Sequence, residues 1–276
     1  MTVPLRATAA AVDAAGWGPL VHVAETGSTN ADLVAAARAG DTSPRVLIAD
    51  HQTAGRGRLD RRWVDEPGRS LLMSVRLPAA SPDVAVAASA AVALAARAAA
   101  ASLCPDATLL VKWPNDIVTD DGRKLGGVLA EYVDTAGGCV VVGVGINVAA
   151  LGVARSRIDP GGVTPASLVE LGGSGTVAEL RDRLAAATVS GLAARVAEVT
   201  TGICPVDELE RHSATVGRRV RVELPGGRVV VGRAVGLDRD GALLCVGDDG
   251  GRHRVAVGDV VHLRPVDRGA DPDAAG

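Results

Sequence analysis

Phenylalanine is absent from this 276-residue chain, and one tyrosine and three tryptophans are the whole aromatic complement. The core must therefore be aliphatic, drawn from the Ala, Val and Leu that dominate the 47% hydrophobic fraction. Lysine is almost as scarce. Of 29 Lys plus Arg only Lys112 and Lys124 are lysine, so the remaining 27 basic residues are arginine. A net charge of −3 and a pI near 6.0 give no basic field of the kind that gathers nucleic acid. Cys104, Cys139, Cys204 and Cys245 are scattered, with no CxxC pair and no Cys/His zinc spacing, and read as small core residues. The five histidines show no metal spacing either, so no protein-only metal site is expected. The N-terminus has no charged segment followed by an apolar stretch and cleavage site, which points to the cytoplasm rather than secretion. The one long apolar run, 84–103, is interrupted by Arg97 and rich in Ala, which suits a core helix better than a membrane span.

What is present divides the chain. A short strand at 21–23 leads into a helix over 31–39 that Ser28 or Thr29 can cap and Gly40 can end. A β-type run at 45–50 precedes a Gly- and Arg-rich loop over 53–69. A strand at 70–77 and the Ala-rich helix follow. Further strands are expected at 108–113, 125–133 and 139–147, and Thr176 and Glu179 form a capping box for a helix reaching about residue 199. From about His212 the pattern changes to five short β-type runs separated by Gly- and Asp-rich turns. The expected organisation is an α/β (α+β) domain over 1–211, a small SH3-like β-barrel over 212–266, and a polar, disordered tail over 267–276. The barrel has no interleaved aromatics, which argues against a base-stacking surface.

Four constellations carry chemistry. Lys112-Trp113-Pro114-Asn115-Asp116 ends a strand at a proline that cannot continue the ladder. Lys124 opens the next strand across the turn Asp120-Asp121-Gly122, so both lysines fall near one strand end. An ammonium is a compact point charge suited to phosphate or a reacting carboxylate, and Trp113 could offer a flat face to a planar group. The loop Gly55-Arg56-Gly57-Arg58 combines flexible backbone with two guanidinium forks, which suits phosphate. Read alone, it fits an exposed basic loop equally well, and it lacks the Gly-Lys-Ser/Thr ending of a Walker loop. Gly143-Val144-Gly145-Ile146-Asn147 would let a ligand lie against a strand backbone. Ser28-Thr29-Asn30 puts two hydroxyls and an amide at a helix N-terminus, where they could grip a polar head group or simply cap the helix.

In this order, Glu25-Thr26-Gly27-Ser28-Thr29-Asn30, Gln52-Thr53-Ala54-Gly55-Arg56-Gly57-Arg58, Lys112 to Asp116, Arg123-Lys124-Leu125-Gly126-Gly127 and Gly143 to Asn147 resemble the biotin–protein ligase family. The resemblance covers about residues 20–150, with the C-terminal barrel added by architecture. It implies a mixed-sheet catalytic domain like those of class II aminoacyl-tRNA synthetases and lipoate ligases. It also implies an activity: biotin and MgATP (ATP with Mg2+) form biotinyl-5′-AMP, which passes its acyl group to a lysine of a biotin carboxyl carrier protein domain of an acyl-CoA carboxylase. Lys124, Arg58 and Asp116 would then be catalytic, with Asp116 orienting or deprotonating the acceptor lysine. Ser28, Thr29, Asn30, Gln52, Arg56, Gly57, Arg58 and Lys124 would hold biotin. Arg56, Arg58, Lys112, Trp113, Asn115 and Asn147 would line the ATP or adenylate region, with Trp63 as a lid.

Some members of that family carry an N-terminal helix-turn-helix. Fewer than thirty residues precede Ser28 here, too few for such a domain, so the expected enzyme binds neither DNA nor membrane. Two other readings are kept: a lipoate ligase or octanoyl transferase of the same fold, and a non-enzymatic regulator that binds nucleic acid through the barrel.

Overall fold

The computed structural model describes residues 4–41, 43–58, 61–152, 163–256 and 259–262. The tail expected over 267–276 lies outside them. Seven strands form the larger sheet: β1 (Val21–Thr26), β2 (Arg45–Gln52), β3 (Ser70–Pro78), β4 (Leu109–Lys112), β5 (Asp116–Thr119), β6 (Lys124–Val133) and β7 (Cys139–Asn147). Their order is β1-β2-β3-β7-β6-β5-β4. Only β1 and β2 run parallel, and a helix, α2 (Thr29–Arg38), supplies the crossover that a parallel pair requires; the other pairs are antiparallel.

Alternation along the central strands explains both faces of the sheet. Leu71, Met73, Val75 and Leu77 of β3 join Val140, Val142, Val144 and Ile146 of β7 in the main core. That face is covered by α3 (Val84–Leu103) and α4 (Val177–Ala193). Small residues let these helices approach closely: a Cβ built on Gly191 would lie 3.3 Å from that of Ala95. The apolar run over 84–103 is thus a core helix, as its composition suggested. The intervening residues, Ser70, Leu72, Ser74 and Arg76 on β3 and Val141, Gly143, Gly145 and Asn147 on β7, lie on the opposite face. Two of the five positions that β7 gives this face, Cys139 included, carry no side chain, and α2 covers only part of it through Leu33, Val34 and Ala37. The two glycines are covered instead by Asn30 and Ser74 at Gly143 and by Trp63 at Gly145.

The smaller sheet holds β8 (Arg219–Glu223), β9 (Val229–Leu237), β10 (Leu243–Gly247), β11 (Arg252–Val255) and β12 (Asp259–His262), all antiparallel in the order β11-β10-β9-β8-β12. These are the five expected β-type runs. The chain enters the small sheet by pairing with the edge of the large one: Val111 N donates to His212 O at 2.8 Å, and Ala214 N to Val111 O at 2.8 Å.

Three elements were not foreseen. These are α1 (Arg6–Ala14), the short strand β5, and a helix at Val206–Arg211 (α6). The helix expected to reach residue 199 stops at Ala193, and a short α5 (Val196–Thr200) follows; between them Arg195 makes two bonds to Glu208, at 2.5 and 2.9 Å.

Candidate active site

Most of the residues singled out in sequence gather into two clusters on the sheet face opposite the main core, and β6 runs through both. The first surrounds Asn30. Thr29 N donates to Gln52 Oε1 at 2.8 Å, and the Thr29 hydroxyl lies 3.0 Å from the same oxygen. That hydroxyl is also 2.7 Å from Ser74 Oγ, which donates to Asn30 Oδ1 at 2.7 Å. Asn30 Nδ2 donates to Leu129 O at 3.1 Å and to Glu131 Oε2 at 2.9 Å. Arg56 Nη2 donates to the same Glu131 oxygen at 2.7 Å. Thr29, Asn30 and Ser74 are buried, and Gly143 makes room for them: a Cβ there would collide with Asn30 Oδ1. Ser28 is buried too and acts as the cap of α2, accepting from Ala31 N at 3.5 Å.

The second cluster surrounds Asp116. Its Oδ1 lies 2.7 Å from Lys124 Nζ, with the two side chains 22% and 30% exposed. Asp116 pairs across β4–β5 with Lys112 and across β5–β6 with Gly127. The strand end therefore places one carboxylate between two lysines. A Cβ on Gly127 would lie 3.3 Å from Asp116 Oδ1 and 3.7 Å from Lys124 Nζ, so the missing side chain gives the pair its space. Gly127 and Glu131 are four residues apart on one strand, which separates the clusters by about 13 Å.

The Gly/Arg loop lies over this face. Its two arms meet at an Arg56–Arg62 bridge, and Trp63 N donates to Gly55 O at 3.0 Å. The indole of Trp63 rests on Gly145, where a Cβ would be 2.8 Å from ring carbons. Trp63 Nε1 is buried and has no acceptor among the described residues. Such a donor is costly to leave unmet and is a natural place for a ligand atom. The lid role expected of Trp63 and the bare strand expected of Gly143 and Gly145 are one feature here: the indole, not open space, lies on the glycine.

Four of the expected site residues have partners within the protein. Trp113 offers no open aromatic face. It is 7% exposed, packs with Val220, Val222 and Leu243 in the core of the small sheet, and donates from Nε1 to Gly241 O at 3.0 Å. Asn115 spends its amide on Val128 O at 2.6 Å, and Asn147 spends its own on Ala166 O at 3.0 Å. Both thereby hold β6 and the 164–166 segment in place, and Lys124 N donates to Thr164 O at 2.8 Å beside them. The N–H of Gly57, a residue expected to hold biotin, donates to Arg61 O at 2.7 Å. Arg58, Trp113 and Asn115 nevertheless share the wall of one cavity of about 360 Å³ between the two sheets.

Sequence reasoning missed Ser74 and Glu131, which link the named residues, and the buried Asp65, which bonds His51 Nδ1 at 2.9 Å beside Gln52. It also missed Asp50 at the end of β2. Burial pushes the Asp50 carboxyl up, but hydrogen bonds from Arg181 and His22, each 2.8 Å, outweigh it and hold the group below the ordinary carboxylate range. The only hint was alternation, which puts two serines on the face of β3 opposite the main core. The four cysteines are free and buried, as expected, and burial with Asp240 nearby pushes the Cys204 thiol up to about 11.

Residues 28–147 match the model of the Biotin/lipoate A/B protein ligase family, and residues 215–263 match that of the Biotin protein ligase C terminal domain. The chain is 42% identical to a biotin--[acetyl-CoA-carboxylase] ligase of Mycobacterium tuberculosis, over 90% of this chain and 91% of that one. It is 34% identical to a protein of the same name from Paracoccus denitrificans, over 83% and 94%. A solved structure of the biotin protein ligase from Aquifex aeolicus, in complex with biotin and ATP, shares the fold with a TM-score of 0.69 at 24% identity, covering 89% of this chain and 98% of that one. With both sheets and both matched segments accounted for, the chain belongs to the biotin–protein ligase family.

Proposed function

We propose that this protein is an ATP-dependent ligase that activates biotin and transfers it to a lysine of a biotin carboxyl carrier protein domain. The observation that carries this reading is the coincidence of the family match with a Lys124–Asp116 pair on the same sheet face as Gly143 and Gly145, which Asn30 and Trp63 cover. In the first step a biotin carboxylate oxygen attacks the α-phosphorus of ATP, and the bond to pyrophosphate breaks. In the second the acceptor amine attacks the acyl carbon, AMP leaves, and the amine loses a proton. Phosphoryl transfer of this kind asks for positioning and charge neutralisation more than for a covalent protein nucleophile.

On this reading the Thr29, Asn30, Gln52 and Ser28 region receives the polar head of biotin, and Lys124 neutralises its carboxylate and then the adenylate. Arg56 and Arg58 neutralise phosphate, and Trp63 lifts to admit the ligand and closes over it, its indole N–H finding an acceptor. Asp116, already paired with Lys124, is placed to take up or orient the acceptor amine. Lys112 serves pyrophosphate or steadies Asp116. Mg2+ would arrive on the phosphates: among the described residues no three metal-type side chains cluster, and this ion keeps oxygen ligands from phosphate and water. Four unpaired cysteines suit a reducing compartment, which supports the cytoplasm. The C-terminal match favours biotin over lipoate.

The test is transfer. The purified chain, biotin, ATP and a carrier domain should yield a carrier heavier by one biotinyl group on one lysine, with both small molecules required. A carrier that stays unmodified, or one modified by lipoate instead, would contradict the reading.

A further inference from the structure

One carboxylate oxygen is shared by two groups from different parts of the site. Glu131 Oε2 accepts from Asn30 Nδ2 at 2.9 Å and from Arg56 Nη2 at 2.7 Å. Asn30 belongs to α2 and is 4% exposed; Arg56 belongs to the Gly/Arg loop. Glu131 sits on β6, on the strand face it shares by alternation with Gly127 and Leu129.

The hydrogen-bond directions around Asn30 can be assigned by counting protons. Leu129 O and the Glu131 carboxylate are acceptors only, so the amide nitrogen must face them; a half-turn would set Oδ1 against both. Oδ1 then takes the Ser74 proton. Gln52 Oε1 is met by the Thr29 backbone N–H, which leaves the Thr29 hydroxyl to donate to Ser74 Oγ. With this assignment each of these contacts carries a proton except the 3.0 Å approach of the Thr29 hydroxyl to Gln52 Oε1, whose oxygen is already met by the Thr29 N–H. The chain is polarised in one direction, from Thr29 through Ser74 and Asn30, and it ends on Glu131. The same oxygen then makes a charge-assisted bond to the loop.

We infer that Glu131 is a positioning residue that sets the head-group pocket and the cationic loop as one unit. It terminates the polarised chain that orients Asn30, and it holds Arg56 beside that pocket before any substrate arrives. The ion pair is 45% and 27% exposed and adds little to stability; its consequence is preorganisation. The kinetic half of the inference rests on the biotin and ATP reading above, and the structural half does not.

Glu131→Gln keeps an acceptor for Asn30 and removes the charge that holds Arg56, whereas Glu131→Ala removes both. Trypsin should cut at Arg56 and Arg58 of ligand-free Glu131→Gln several-fold faster than in the wild type. Its biotin KM in ATP–pyrophosphate exchange should rise about tenfold. At saturating biotin, kcat should change by less than about threefold, because the bound substrate then holds Arg56 itself. In an Arg56→Ala background the Gln substitution should add less than about twofold, since its main partner is gone. Glu131→Ala should exceed Glu131→Gln in biotin KM. Wild-type cleavage in Glu131→Gln, additivity with Arg56→Ala, or a joint fall in kcat and melting temperature at unchanged KM would each overturn the inference. Should the wild type lack biotin-dependent exchange, the functional reading falls, and the tryptic comparison alone decides the role of Glu131.

Discussion

At Gly145 the missing side chain is what lets Trp63 lie down on β7. An alanine there would put a methyl 2.8 Å from the ring carbons, well inside van der Waals contact, so the indole would have to lift. Gly145→Ala is therefore expected to fold normally, to shift the emission of a protein with only three tryptophans, and to weaken biotin binding by about tenfold through a misplaced lid. Unchanged emission and unchanged affinity would show that Trp63 does not depend on that bare backbone. The residues legible in sequence were those whose type is unusual for their place: two lysines in an arginine-rich chain, glycines inside a strand, a tryptophan in a loop. Ser74 and Glu131 are ordinary residues on ordinary strands, and only the fold brings them to Asn30. Asn115, Asn147 and Trp113 were legible as important but not in what they do, because a side chain that clamps backbone and one that faces a ligand look the same in sequence.

Among the elements, those with local signals were read well and those held by distant partners were not. The β-strands over 139–147 and 229–237 follow directly from runs of Val, Ile and Gly, and the capping box at Thr176 and Glu179 forms as written. Helix α1 has no side-chain cap of its own. Its first amides are met by Asp182 on α4: Ala7 N donates to Oδ2 at 2.9 Å and Thr8 N to Oδ1 at 2.8 Å. No window of sequence contains both halves of that cap. Asp182→Ala should lower the free energy of unfolding by about 1–2 kcal/mol, read as an earlier urea midpoint, and should leave exchange activity in place. An unchanged midpoint would mean that α1 is held by its apolar contacts with α4 alone. Strand β5 was hidden for another reason. Four residues between a proline and a turn are too few to show a period, and their role is to put Asp116 between Lys112 and Gly127.

Across the molecule, the two sheets are joined at the strand end that carries Lys112 and Asp116. Val111 pairs with the chain entering the small sheet, Trp113 N donates to the Thr215 hydroxyl at 3.0 Å, and the Trp113 ring fills the small sheet's core. Two residues further on, Asn115 clamps β6, and Asp116 meets Lys124. The C-terminal sheet thus braces the segment that presents Asp116 to Lys124, which the order of motifs along the chain could not reveal. The central claim is that this braced strand end activates biotin through Lys124. Its most direct test is labelled pyrophosphate exchange into ATP by the purified chain. The account predicts exchange that requires biotin, that lipoate does not support, that Lys112→Arg lowers by less than about tenfold, and that Lys124→Ala lowers by about a hundredfold or more. Exchange that ignores biotin, or a Lys124→Ala protein that works at nearly the wild-type rate, would contradict it.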